Sequence, residues 1–511
     1  MRGIDRRFLL RAAGAGIGLA VLPAWAQPVF RRYPFSLGVA SGDPRPDGVV
    51  LWTRIAPEPL EGGGMPMQPV EVAWEVAADD RFRTIMRKGT ELARPELAHA
   101  VHAEVDGLEP GREYWYRFQV GKERSPAGRT RTAPAAGSAV ERLRFALAGC
   151  QHYEHGLFTA YRHLAAERLD FVFHYGDYIY EGREAGANVA RPRLHQGDEI
   201  FTLVDYRNRY AQYKSDRDLQ AAHASAPWIA SFDDHEVDNN WAGAGDENDT
   251  PAEVFLLRRA AAFQAWYEHM PVRRALLPRG PDIRMFRRLA FGGLVDLHVM
   301  DTRQHRTRQP CGDRVKPRCA DASDPNATII GREQKAWLFD GLARGGARWK
   351  VLAQQVMIGQ LDRDPGPESR FDMDKWDGYV ADRMDLIGHI AERRLANVVA
   401  LTGDVHNTWI GDLVRDFDDP ASPPLAAEFV STSIASGGDG VDQRPETPKI
   451  LAQNPHWKFF NDQRGYLSCT VTPERWQTDV RIVPFVTRPD APISTRASFV
   501  VEAGKAGVQG A

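Results

Sequence analysis

Hydrophobic and polar positions follow two different rhythms along the chain. Between Phe35 and about Ala133 the rhythm is short and strand-like. Val70-Glu71-Val72-Ala73-Trp74-Glu75-Val76 alternates, and so does His99-Ala100-Val101-His102-Ala103-Glu104-Val105. A period of two marks strands buried on one face. Val49-Val50-Leu51-Trp52-Thr53-Arg54 is a further β-prone run, and Leu108-Glu109-Pro110-Gly111 turns into Tyr114-Trp115-Tyr116-Arg117-Phe118. Short strands at regular spacing predict a small β-sandwich over residues 34–134. The polar tract Arg129 to Ser138 reads as a linker to a second domain.

From Arg142 onward apolar strands alternate with helical patterns, the mark of an α/β unit, expected over residues 141–490 with a tail at 491–511. Leu143 to Ala148 is a strand that runs into Gly149-Cys150, and His155 to Ala166 reads as a helix. Phe171-Val172-Phe173-His174 runs into Tyr175-Gly176-Asp177-Tyr178-Ile179-Tyr180-Glu181. Pro227 to Phe232 leads into Asp233-Asp234-His235-Glu236, and Asn397 to Thr402 leads into Gly403-Asp404-Val405-His406. In open α/β sheets ligands bind beyond the carboxyl ends of strands. Four predicted strands thus end in groups able to hold a metal: Cys150; Asp177 and Tyr180; Asp234 and His235; Asp404 and His406. One such ending is easily chance, whereas four able to converge at one sheet edge point to a site.

Composition changes little in this picture. The chain has 511 residues, 43% hydrophobic and 26% charged, with a formal net charge of −3. That is ordinary for a soluble protein and gives no reason to expect nucleic acid or an acidic membrane as partner. The N-terminus does add something. Asp5-Arg6-Arg7-Phe8-Leu9 sets a twin arginine ahead of the apolar run Ala12 to Leu22, and Ala24-Trp25-Ala26 offers a cleavage site before Gln27. Residues 1–26 are read as a Tat export signal, which makes the Tat machinery a partner and the periplasm or exterior the destination. In such an oxidising compartment Cys311 and Cys319 can bridge, which their spacing allows without requiring. Cys469 reads as a small buried strand residue.

Taken in order, Gly149-Cys150-Gln151, Gly176-Asp177-Tyr178-Ile179-Tyr180-Glu181, Asp233 to Trp241, Met300-Asp301-Thr302-Arg303-Gln304 and Gly403-Asp404-Val405-His406 resemble the PhoD-like alkaline phosphatases, a branch of the calcineurin-like metallophosphoesterases. The resemblance implies a four-layer αββα sandwich preceded by an Ig- or fibronectin-III-like module. It implies hydrolysis of small phosphomonoesters, with phosphodiesterase or phospholipase D-type activity as the alternative. It implies a first site of Cys150, Asp177, Tyr180 and His406 holding Fe3+, with Zn2+ as the alternative on ligand type. A second site of Asp177, Asp234 and Asp404 offers carboxylate oxygens, which suit calcium or magnesium; the resemblance implies Ca2+ there, as two ions. Asp177 would bridge the two sites.

Several neighbours carry weaker expectations. His235 is the expected acid or phosphoryl contact, sharing the catalytic role with Asp177. Asn239 and Asn240 are either phosphate contacts or turn residues. Asp301 and Arg303 are expected to pair and position a loop, with a phosphate clamp by Arg303 as the sharper reading. Gln354 or Gln355 stands where the wider superfamily has another histidine. Trp376, Asp377 and Tyr379 read as a rim or buried turn, and His152 and His155 as flanking residues. Nothing in the pattern requires an oligomer, and a monomer is expected.

Overall fold

A computed structural model describes residues 29–182 and 190–511. The expected export segment, 1–26, lies outside the described residues. The fold is mixed α/β and is built on two large sheets of ten and seven strands.

The ten-stranded sheet is organised around three parallel strands, Leu143–Ala148, Phe171–His174 and Pro227–Ala230. Each is apolar on both faces, as a parallel strand covered on both sides must be. One face presents Phe145, Leu147, Phe171, Phe173 and Ile229, which share a buried cluster with Leu297, Val351, Val399 and Phe429 of the seven-stranded sheet. The other face, with Ala146, Val172 and Trp228, is covered by helices Thr159–Ala166, Leu203–Lys214, Arg217–Ser225 and Ala252–His269. The seven-stranded sheet carries parallel strands Val295–Val299, Trp349–Ala353, Val398–Thr402 and Pro424–Val430. Its far face, through Leu352, Ala400 and Ala426, packs on helices Gly331–Arg344 and Val380–Glu392.

Two sequence-drawn boundaries do not interrupt the sheets. Strands Val39–Arg45, Gly48–Arg54 and Ala100–Val105 extend the ten-stranded sheet, because Ser41 and Gly42 pair in parallel with Pro227 and Trp228. The reason is that these strands are apolar on both faces. Val49, Leu51 and Val101 face Val72, Val76 and Tyr116 of the separate five-stranded sheet, while Ala40 and Trp52 face Ala211 on helix Leu203–Lys214. At the other end, Ser494–Glu502 and Gln509–Gly510 pair onto the same sheet, which therefore continues through residues 491–511. The expected linker is also shorter, since Gly128–Arg131 pairs with Glu113 to Tyr116.

The two sheets are locked together at their carboxyl ends by Tyr175. A Cβ on Gly403 would come 2.1 Å from the Tyr175 ring, and the Tyr175 hydroxyl donates to Thr432 O at 2.9 Å. Only a residue without a side chain fits there.

Candidate metal centre

The candidate ligands leave their strands through unusual backbone. Cys150, Asp177, Asp404 and His406 all have left-handed φ, at 51°, 55°, 69° and 61°. For residues other than glycine this costs about 1–3 kcal/mol each and persists only where surrounding structure enforces it. Here the turn aims side chains back into the gap between the sheets. Gly176 precedes Asp177 at φ 136°, and a Cβ there would lie 2.4 Å from Asp233 N. The enforcing contact is Glu236. Its fully buried carboxylate accepts from Tyr178 N at 2.7 Å, Asp233 N at 2.9 Å and Asp177 N at 3.1 Å. Burial and the Asp177 charge push the Glu236 carboxyl up to about 8 against these three donors.

Glu236→Gln is expected to weaken metal retention and activity by about 10–100-fold, because the amide group turns a donor toward a backbone N–H. Metal titration followed by assay checks it, and unchanged metal affinity would contradict the role.

Four side chains then converge. The Cys150 thiol lies 3.2 Å from Asp177 Oδ2, and the Tyr180 hydroxyl donates to the same oxygen at 2.9 Å. His406 Nε2 stands 3.0 Å from the Tyr180 oxygen and 3.9 Å from Asp177 Oδ2. Ser436 Oγ lies 2.7 Å from the Tyr180 oxygen and 2.8 Å from Cys150 O, tying these two loops together. Cys150, Asp177 and His406 offer ligand atoms within 4.8 Å of one another, as do Asp177, Asp234 and His235, and also Asp233, Asp234 and Asp404. All six expected metal residues are therefore brought together, but from the edges of two packed sheets rather than one.

The cluster carries more acid than the protein neutralises. Asp177 Oδ1, Asp233 Oδ2 and Asp234 Oδ1 are buried and accept no hydrogen bond among the described residues. Burial, then the Asp177 charge, pushes the Cys150 thiol well up, and the same two causes raise the Tyr180 phenol. Burial would also raise the Asp234 carboxyl, but Arg303, then His235 and Lys375, hold it well below the usual range. Buried carboxylates without counter-charge cost several kcal/mol each, and a bound cation removes that cost while converting thiol and phenol to their anions. The residues present fit bound cations.

The counter-charges within the chain come from residues whose partners the sequence pattern placed elsewhere or did not single out. Arg303 does not pair with Asp301 through its side chain. Its backbone N–H donates to Asp301 Oδ1 at 3.0 Å, while its buried guanidinium reaches Asp233 at 2.5 Å and Asp374 at 2.8 Å, with Asp404 at 3.4 Å and Asp234 at 3.5 Å. Several buried carboxylates surround the guanidinium, whereas Asp301 is satisfied by Gln304, whose N and Nε2 donate to it at 2.9 and 3.0 Å. Lys375 lies against Asp404 and 3.3 Å from Asp374. The doubled acid at Asp233-Asp234 was a visible signal; Asp374 and Ser436 gave none.

Other expectations resolve around the same cluster. Gln355 is fully engaged with Thr302, Ser231 and Met300, and Gln354 with Trp376, Val356 and Thr402. Neither amide turns to the acidic cluster. Asn240 N donates to Asp234 Oδ2 at 2.9 Å and Asn240 Nδ2 to Asp313 Oδ2 at 2.8 Å. Asp313 lies in the loop closed by a Cys311–Cys319 disulfide. Trp376 to Gly378 is a buried turn, with Asp377 paired to Arg383. His152 and His155 stack at 3.7 Å, His152 lies 4.4 Å from the Tyr180 ring, and the helix begins only at Thr159. His235 Nδ1 is 2.7 Å from Glu181 Oε2, and its ring lies 4.1 Å from that of Tyr180. Burial opposes charging His235, but Glu181, then Asp234 and Asp177, raise its pKa well above the usual value.

A family model described as PhoD-like phosphatase matches residues 145–480, and its N-terminal domain model matches residues 21–134. The chain belongs to the PhoD-like phosphatase family. It is 52% identical to alkaline phosphatase D of Bacillus subtilis over 517 residues, covering 99% of this chain and 89% of that protein. A solved structure described as the structure of PhoD is 53% identical, with a TM-score of 0.93 and coverage of 94% of this chain and 93% of that one. This PhoD-like phosphatase is thus an enzyme that hydrolyses phosphoric esters. Among its described residues no helix is long and apolar enough to cross a membrane.

Proposed function

We propose that this phosphatase is exported and hydrolyses phosphomonoesters at a two-cation centre, as an alkaline phosphatase. Cys150, Asp177, Tyr180 and His406 hold Fe3+, and Asp177, Asp234 and Asp404 hold Ca2+. The observation that carries the reading is a thiol, a phenol, an imidazole and a carboxylate within reach of one point. A highly charged cation is the species that keeps phenolate and thiolate ionised together. Oxygen-only donors beyond Asp177 favour a hard divalent ion.

Bound cations supply Lewis acidity toward the phosphoryl oxygens and the attacking water. The chain's own residues do the rest. Asp177 would contribute to both sites, since it belongs both to the group with Cys150 and His406 and to the group with Asp234 and His235. His235, held in its charged form by Glu181 and with 19% of its side chain exposed, donates a proton toward the phosphoryl or leaving oxygen. Asn240 and the disulfide-closed loop brace Asp234. The twin arginine at Arg6-Arg7 supports Tat export to the periplasm or beyond. The packing order of helices and sheets supports an αββα catalytic unit at about 141–490, with an Ig-like module at 34–134 grafted onto its sheet.

Metal analysis of protein recovered after Tat export tests this. Iron with calcium, and a visible charge-transfer band that disappears in Tyr180→Phe, are expected; zinc alone, or no metal, overturns the assignment. Turnover of p-nitrophenyl phosphate should exceed that of its bis ester under added calcium. The reverse order would assign a diesterase.

A further inference from the structure

A second cavity, of about 350 Å3, lies where the N-terminal hairpin meets the catalytic sheets. It shares no lining residue with the metal centre. Arg45, Arg273, Arg284, Arg287 and Arg288 line it, with Asp43 as the one acid on its wall. In a chain of net charge −3 this is a strong local excess of cation. Leu276, Phe286 and Leu289 form the apolar part of the lining.

The five guanidiniums divide into a frame and a rim. Arg287 is fully engaged: Nε and Nη2 grip Asp43 at 3.1 and 2.8 Å, and Nη2 and Nη1 also donate to Ala230 O and Met285 O. Arg273 is buried, bonds to Asp43 O and Glu104, and keeps an unpartnered Nε. These two fix the wall. The rim is different. Exposed Arg45, from the end of strand Val39–Arg45, makes no side-chain hydrogen bond or ion pair among the described residues. Arg284 uses only Nη1, on the exposed Glu333, and lies 4.1 Å over the Phe286 ring. Arg288 uses Nε and Nη2 on Asp296 and leaves Nη1 free. Glu333 and Asp296 do not line the cavity. Free guanidinium donors therefore approach one small space from two parts of the chain.

We propose that this cavity binds a phosphate group, at a site separate from the metal centre. Guanidinium forks match phosphate oxygens two at a time. Donors arriving from both walls suit a tetrahedral dianion better than a planar carboxylate. The apolar lining accepts the organic part of an ester. The same chemistry serves inorganic phosphate, the product that the enzyme itself releases, or an intact phosphate ester.

The test uses the metal-loaded full-length enzyme and the double variant Arg45→Ala/Arg284→Ala. Both side chains are exposed and outside the metal centre, so folding and turnover of p-nitrophenyl phosphate should be kept. Calorimetric titration with inorganic phosphate should give one more bound phosphate per chain in the parent enzyme than in the variant. Tungstate soaked into crystals should give an anomalous peak between Arg45 and Arg284 besides any at the metals. Phenylphosphonate, which is not hydrolysed, separates the two sources. Tighter binding than phosphate at the variant-sensitive site assigns an ester, and equal or weaker binding assigns the free product. An unchanged phosphate isotherm in the double variant, or tungstate at the metals alone, overturns the proposal.

Discussion

Asp177→Asn is expected to lower kcat/KM on p-nitrophenyl phosphate by about 10³-fold or more, the scale seen when a charge aimed at the transition state is removed. Asp177 is the meeting point of the centre. Its Oδ2 is shared by Cys150 and Tyr180, and it joins the groups containing His406 and Asp234. Asparagine keeps the shape, and it tolerates the left-handed backbone at φ 55° better than most residues do. The variant should therefore fold, and the loss should reside in the chemistry. If Asp177 bridges the cations as proposed, one charge fewer there leaves each of them more weakly held. Steady-state kinetics with parallel metal analysis and circular dichroism reads both effects. Activity within tenfold of the parent, with metals retained, would remove Asp177 from the bridging role.

Arg303→Met is expected to destabilise the protein by about 3–5 kcal/mol, the range for breaking a buried ion pair from one side. The guanidinium is fully buried and stands among Asp233, Asp374, Asp404 and Asp234. Methionine fills much of the volume but leaves Asp233 without its counter-charge, while Asp374 keeps Arg306 at 2.6 Å and Lys375 at 3.3 Å. Urea unfolding of the metal-loaded enzyme measures the difference. Arg303→Lys should recover only part of it, since one ammonium cannot reach in several fixed directions as a guanidinium does. A cost below about 1 kcal/mol in Arg303→Met would mean that the bound cations, not Arg303, balance these carboxylates. Arg303 is accordingly a keystone of the acidic cluster, and its neutralising contacts leave little of it for a phosphate clamp.

The centre was legible where chemistry is written locally. Cys150, Asp177, Tyr180, Asp234, Asp404 and His406 each follow an apolar run within a few residues, and a strand ending in a ligand is a pattern that short stretches can carry. Arg303 and Glu236 were not legible in the same way. Both lie inside recognisable motifs, but most of their partners lie elsewhere: Asp374 is 71 positions from Arg303, and Tyr178 is 58 positions from Glu236. Nothing local says which buried acid a buried base will meet. Asp301, two positions from Arg303, was the natural partner by proximity, and it went instead to the backbone N–H of Arg303.

The same division holds for the fold. Alternation and apolar runs determined which segments are strands, because burial on one or both faces is recorded residue by residue. They also set the order of the candidate ligands along the chain. Which sheet each strand joins was decided only in three dimensions. Val39–Arg45 adds to the catalytic sheet through Ser41 and Gly42, although its sequence reads equally well as one side of a separate sandwich. The candidate ligands come from two sheets, and Tyr175 over Gly403 holds those sheets together. Strand pairing is made by backbone groups that every residue shares, so the sequence marks a strand's faces far more plainly than its neighbours.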